Sequence, residues 1–297
     1  MLTGAVHVVT PSELTAIVNV GDDLVLHGLA ISPDLDTVTY TLAGAIDPKR
    51  GWGLEGETWN AMAMLERLGG ESWFNLGDGD LGTHLYRTQR LASGADLATV
   101  TTEIAAAWRL DLTILPVTND PVRTRVTLPD ENDVEVSFQQ YFVQRRHSVR
   151  VSSIRFDGAA NAVPAPGVLE TIKAADAVVI APSNPAVSIA PVLAVPGVRD
   201  AVEKRRQHTV AISPIVAGSA LKGPAARLLR ELGHDASVVG VARVYRSLAS
   251  VLVIDEADRE LSGAVEAEGL RCVVTDTIMR GPREAAALTR VALGAVS

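Results

Sequence analysis

A single cysteine, Cys272, stands in the 297 residues, so no disulfide can close within the chain. It sits in the apolar run Arg271-Cys272-Val273-Val274 and reads as a small buried hydrophobe of a reducing compartment. Positive charge is also short. Lys and Arg number 27 against 35 Asp and Glu, which leaves a net charge of −8 and an isoelectric point near 5.3. That balance argues against a nucleic-acid partner or an anionic membrane surface. No apolar run reaches the ~18 to 20 residues a membrane helix needs, and the first residues lack a basic, then apolar, leader pattern. The expected location is therefore the cytoplasm. No Gly-x-Gly-x-x-Gly follows any strand-like run, which speaks against a dinucleotide enzyme. With 47% hydrophobic residues and a mean hydropathy of +0.19, the chain is globular and long enough to bury a sizeable core in one large domain or two.

What is present is a concentration of acid. Residues 15–20 are apolar and partly β-branched, then stop at Gly21-Asp22-Asp23, as a buried strand entering a turn does. Asp34 and Asp36 follow after Ser32-Pro33. These four acids fall within fifteen residues that contain no Lys or Arg. They repel one another unless a proton or a cation shares the site, and Mg2+ on Asp22, Asp23 and Asp36 is the economical answer. The alternative is a solvated acidic turn. The second acid pair favours the metal, and a catalytic role falls to Asp36 and Asp23. On this reading Asp36→Ala abolishes activity and leaves the fold intact.

Further along, residues 57–68 predict a helix with Trp59, Met62 and Leu65 on a core face, stopped by Gly69-Gly70. If Asp80 caps the next helix, Thr83, His84, Arg87 and Thr88 share one face opposite Leu81 and Leu85. That polar stripe is either a solvated face or the wall of an anion site. Residues 97–108 predict a structural helix, and residues 113–138 alternate as a β meander. Arg145, Arg146, His147 and Arg150 form a basic cluster suited to solvent, a subunit contact or an anionic substrate. From residue 151 strand and helix alternate, as a parallel sheet requires. The strand at residues 177–181 runs into Pro182-Ser183-Asn184-Pro185 and Ser188, a rigid turn able to offer amides and hydroxyls to a nucleotide. A second such loop opens at Ser213 after residues 209–212, and its Lys222-Gly223 lacks Walker spacing but can meet a phosphate.

Several of these strings resemble the 2-phospho-L-lactate transferase family of coenzyme F-420 biosynthesis. They are Val18-Asn19-Val20-Gly21-Asp22-Asp23, Ser32-Pro33-Asp34-Leu35-Asp36-Thr37, Gly51-Trp52-Gly53, the Asp-Leu-x-Thr-His-x-x-Arg-Thr run ending at Thr88, Ala181-Pro182-Ser183-Asn184-Pro185 and Thr275-Asp276-Thr277-Ile278-Met279. The resemblance spans nearly the whole chain. It implies an α/β fold with a Rossmann-like, mostly parallel sheet, residues 1–50 and 151–297 forming the nucleotide core and residues 51–150 an inserted helical and β subdomain that binds the acceptor. It also implies transfer of a phosphoenolpyruvyl or phospholactyl group from a guanosine diphosphate conjugate to the ribitol hydroxyl of a deazaflavin, with release of GMP, by a homodimer. Ser183, Asn184, Pro185, Ser188, Ser213, Lys222 and Gly223 are then donor-binding, and Thr83, His84, Arg87 and Thr88 acceptor-binding. The family begins with a strand and a glycine-rich turn for the donor phosphates, and this sequence starts downstream of the place where that turn is expected. A non-catalytic nucleotide-sugar-binding regulator of the same superfamily is the alternative.

Overall fold

The computed structural model describes residues 1–220 and 223–296. Four parallel strands form the main sheet in the spatial order Arg271–Thr275, Val251–Asp255, Thr209–Ile212 and Val178–Ile180. The two central strands are buried at every residue, which is why their sequences are unbroken apolar runs and not alternating ones. Helices must cover both faces of such a sheet. On one, Leu288 and Ala292 of the helix Pro282–Gly294 pack against Val210, Ile212, Val251 and Val253, and the short helix Leu2–Ala5 leans on that helix. On the other, Val198, Val202, Val241 and Tyr245 join Ala211, Leu252 and Ile254 in the largest core cluster.

The same cluster extends to a second parallel pair, Thr15–Val18 with Thr113–Pro116, through Ala16, Val18 and Ile114. Between these two strands the chain makes a hairpin, Leu24–Leu26 with Leu29–Ile31, and the helices Pro33–Leu42, Asn60–Arg67, Asp78–Ala92 and Leu97–Ala107. Beyond them the meander pairs Arg123–Leu128 with both Val134–Ser137 and Ser153–Asp157, so it continues past residue 150. The α/β class with parallel sheets is thus observed. Among the described residues no single helix is long and apolar enough to cross a membrane.

Two local features depart from the sequence expectations. Pro33 occupies the first turn of a helix, a position that needs no N–H, so Asp34 and Asp36 lie in the first turn of Pro33–Leu42, a helix that the sequence pattern does not predict. Asp80 does not cap its helix, which starts at Asp78. Instead the Glu57 carboxylate accepts from the Gly79 and Asp80 amides, and Asp78 accepts from the Asn60 and Ala61 amides. Each helix start is thus capped by an acid lying near the other, which locks the two helices at a fixed angle.

Candidate active site

A cavity of about 810 Å³ opens at the carboxyl ends of the parallel strands, where open α/β sheets bind ligands. Pro182, Ser183 and Asn184 follow one strand into it, Ser213 and Pro214 a second, and Thr277, Ile278 and Met279 a third. Asp22, Asp34, Asp36 and Tyr40 come from the amino-terminal strand and the helix after it. Trp52, Phe74, Phe138 and Phe142 also line the cavity.

The acidic turn is held by the Asn19 side chain. Asn19 accepts from the Gly21 amide at 2.8 Å and donates to Asp34 Oδ2 at 2.8 Å. A Cβ at Gly21 would stand 2.6 Å from Thr124 Oγ1, so no other residue fits the turn as built. Ser32 donates to Asp23 Oδ2, yet Asp22 Oδ1 and Asp23 Oδ1 are buried with no hydrogen-bond partner. Burial first, then Asp34 and Asp23, pushes the Asp22 carboxyl well above the usual range. Burial likewise lifts Asp23 to about 7 and Asp34 to about 6. A buried carboxylate oxygen with no partner suits a hard, oxygen-ligated cation; Asp22, which has one, lines the cavity, as does Asp34, whose Oδ2 accepts from Asn19. Asp23 does not line the cavity.

Asp36 lines the cavity but its oxygens are already engaged. Both guanidinium nitrogens of Arg87 donate to its two oxygens, and Arg87, 1% exposed, also reaches Ala30 O. Arg87 Nη1 lies 3.3 Å from His84 Nδ1, while His84 Nε2, 3.4 Å from Asp80 Oδ2, is buried without a hydrogen-bond partner. Tyr40 donates to Asp80 Oδ1 at 2.6 Å. Asp36, Asp80 and His84 offer ligand atoms within 4.8 Å of one another, a group that could hold a metal ion. The face predicted from Thr83, His84, Arg87 and Thr88 is therefore neither solvated nor, for the most part, a ligand wall. Thr83 meets the Tyr40 hydroxyl, Thr88 accepts from the Ala30 amide and donates to His84 O, and of the four only His84 reaches the cavity.

In the donor loops, Ser183, Asn184 and Ser188 line the cavity, whereas Pro185 is buried behind it. Asn184 accepts from the Ala186 amide at 3.0 Å and so fixes the loop against the π-helical turn Pro185–Ile189. Ser213 lines the cavity too, but its hydroxyl donates to Ile215 O and accepts from the Ile215 amide, so its role is to shape the turn. Gly223 is at the wall, and Lys222 lies outside the described residues.

The family model described as 2-phospho-L-lactate transferase CofD matches residues 1–291. The chain belongs to this transferase family. Similar relatives include a phosphoenolpyruvate transferase of Kitasatospora aureofaciens, 41% identical across 98% of this chain and 92% of the relative. Another, from Mycolicibacterium smegmatis, is 39% identical across 95% and 87%. Two crystal structures of a Bacillus halodurans protein of the upf0052 family share the fold, with TM-scores of 0.63 and 0.60 at 16% and 14% identity. They cover 98% and 96% of this chain and 96% and 95% of theirs.

For a transferase of this family, the residues that sequence reasoning missed are mostly apolar. Phe74, Phe138, Gln139 and Phe142 face the cavity from segments whose pattern predicts ordinary structure. Phe138 closes an alternating strand and so reads as core. The only advance signal was at Trp52, inside the family-like string Gly51-Trp52-Gly53.

Proposed function

We propose that the protein transfers a phosphoenolpyruvyl or phospholactyl group from a guanosine diphosphate conjugate to the terminal ribitol hydroxyl of 7,8-didemethyl-8-hydroxy-5-deazariboflavin, with release of GMP. The names of the curated relatives favour the phosphoenolpyruvyl donor. The observation that carries this reading is the placement of Asp22, Asp34 and Asp36 within one cavity, between strand-end loops and aromatic walls. The loops at Ser183, Asn184 and Ser188 suit the polar, charged donor, and the apolar walls suit a planar acceptor.

In the reaction the acceptor hydroxyl oxygen bonds to the phosphorus next to the three-carbon acid, and the bridging bond to GMP breaks. Mg2+ held by Asp22 and Asp34 would neutralise charge on the transferred phosphoryl group. The set Asp36, Asp80 and His84 suits the ion less well, because Arg87 already supplies a cation to Asp36. Asp36 is instead oriented by Arg87 to accept the hydroxyl proton. Burial keeps its carboxyl above the usual range although Arg87 opposes this, which favours a proton acceptor over an inert anion. Asn184 holds the donor loop in shape.

The direct test is incubation with each guanosine diphosphate conjugate, the deazaflavin and Mg2+, read as GMP release and as a deazaflavin product heavier by the transferred group. Chelation of Mg2+ should stop both. No GMP from any donor at saturating acceptor would refute the reading. For the donor loop, Asn184→Ala is expected to weaken GDP binding about fivefold by calorimetry, since a lost cap of about 1 kcal/mol loosens the turn that presents the loop. Unchanged GDP affinity would exclude this loop from donor binding.

A further inference from the structure

Two segments that line the cavity are π-helical turns. In Gln140–Gln144 and in Pro185–Ile189 an amide reaches back five residues, Arg145 N to Gln140 O at 3.1 Å and Ile189 N to Asn184 O at 3.2 Å. Such turns fit an extra residue into the helical repeat, are rare, and are frequent at functional sites. Phe142 and Val143 of the first turn and Val187 and Ser188 of the second line the cavity. The chain leaves the first turn through Arg146 and His147, both left-handed at φ of +50° and +42°. Strain of that kind persists only where the surroundings hold it, here the pairing of Arg145 with Glu131 and the bond from the His147 amide to Tyr141 O.

The two turns share one small core, in which Tyr141 and Val187 are buried together with Leu228 of the helix Ala225–Glu231. That helix follows Gly223 and Pro224, which also line the cavity. From it, Arg227 Nη2 donates to the Tyr141 hydroxyl at 2.6 Å and to Val149 O at 3.2 Å, and Arg227 Nε lies 3.2 Å from Glu231 Oε1. Glu231 Oε2 in turn accepts from the Val151 amide at 3.1 Å. Arg227 and Glu231 thus fasten the first π-helical turn, and the chain just after it, to the helix that opens behind the second donor loop. Neither Tyr141, 0% exposed, nor Arg227 lines the cavity. A buried hydroxyl answered by a guanidinium fixes a distance and a direction, which apolar packing alone leaves free to slide. Val187 stands both in this core and in the cavity lining, so a shift of the first turn is passed to the second through close packing. We infer that Tyr141 and Arg227 are positioning residues for the transfer reaction: their bond sets the spacing of the two π-helical turns, and through it the register of donor and acceptor. This rests on the reaction proposed above and concerns groups that touch neither substrate.

The test is steady-state GMP release by the full-length chain, measured well below its Tm with donor and acceptor each varied in turn. Tyr141→Phe removes only the hydroxyl and should lower kcat about 10- to 100-fold, the scale of a misplacement of about 1 Å, with both KM values within about threefold of the parent. Arg227→Met should lose at least as much, and Arg227→Lys should recover part of the loss, because an ammonium can still donate to the hydroxyl. Tyr141→Phe combined with Arg227→Met should be no slower than Arg227→Met alone, since both changes remove one bond. A kcat for Tyr141→Phe within about twofold of the parent, whatever its Tm, would overturn the inference by leaving the pair a purely structural role. So would a rise in KM alone, or losses that multiply in the double variant. In each of those outcomes an active parent leaves the transfer reaction standing. A parent that releases no GMP from any donor brings down the reaction, and this inference with it.

Discussion

Arg87→Ala is expected to lower the unfolding free energy by about 3 to 5 kcal/mol and to abolish transfer. Arg87 is 1% exposed, and its guanidinium is bonded to both oxygens of Asp36. Its removal leaves a buried carboxylate without a counter-charge, close enough to Asp80 to be repelled by it, and opens a void the size of a long side chain. Arg87→Lys should fall between, because an ammonium supplies charge but cannot grip two oxygens at once. The structure also corrects the expectation that Asp36→Ala spares the fold, since that change strands the Arg87 cation in the same buried place. Denaturant titration near pH 7.5 measures each loss. A double variant, Arg87→Met with Asp36→Leu, separates the roles: it should regain stability and remain inactive. A stability change below about 0.5 kcal/mol for Arg87→Ala would show the pair to be energetically idle.

Asp22→Asn should have the opposite sign on stability and the same effect on activity. Burial and neighbouring acids raise Asp22, Asp23 and Asp34 above their ordinary values, with Asp23 at about 7 and Asp34 at about 6. The folded chain therefore holds protons that the unfolded chain releases near pH 4. Stability from these groups is fully present below that pH and is lost as pH rises through about 6 to 7, because ionised acids then crowd one buried turn. Asparagine removes one of those charges. At pH 8 and without Mg2+ the variant should be about 1 to 2 kcal/mol more stable than the parent, with a flatter dependence of stability on pH. Mg2+ should raise the Tm of the parent and leave that of Asp22→Asn nearly unchanged, as binding to the folded state alone predicts. Transfer should fall by at least about 100-fold, the usual scale for removing a group that meets charge developing in the transition state. An equal Mg2+-induced rise in Tm for both proteins would remove Asp22 from the metal site.

The sequence by itself determined those parts of the protein that rest on local periodicity and on residues close in the chain. Unbroken apolar runs became the central parallel strands, because a strand covered on both faces admits no polar alternation. Strand ends followed by Gly21-Asp22 and Pro182-Ser183-Asn184 became cavity walls, because open α/β sheets present their carboxyl ends to ligands. What only the tertiary structure decided was the partner of each charge. Asp36 and Arg87 are 51 residues apart, and nothing local to either shows that the hairpin Leu24–Leu26 with Leu29–Ile31 and the helix Asp78–Ala92 fold so as to join them. The face carrying His84 and Arg87 has the same spacing whether it meets water, a ligand or another carboxylate. Likewise Glu57 and Asp78 cap across 22 and 18 residues, and the cavity that Trp52 lines is completed by residues from distant parts of the chain. Periodicity records which side of an element is buried, and the identity of the burying partner depends on the path of the chain between them.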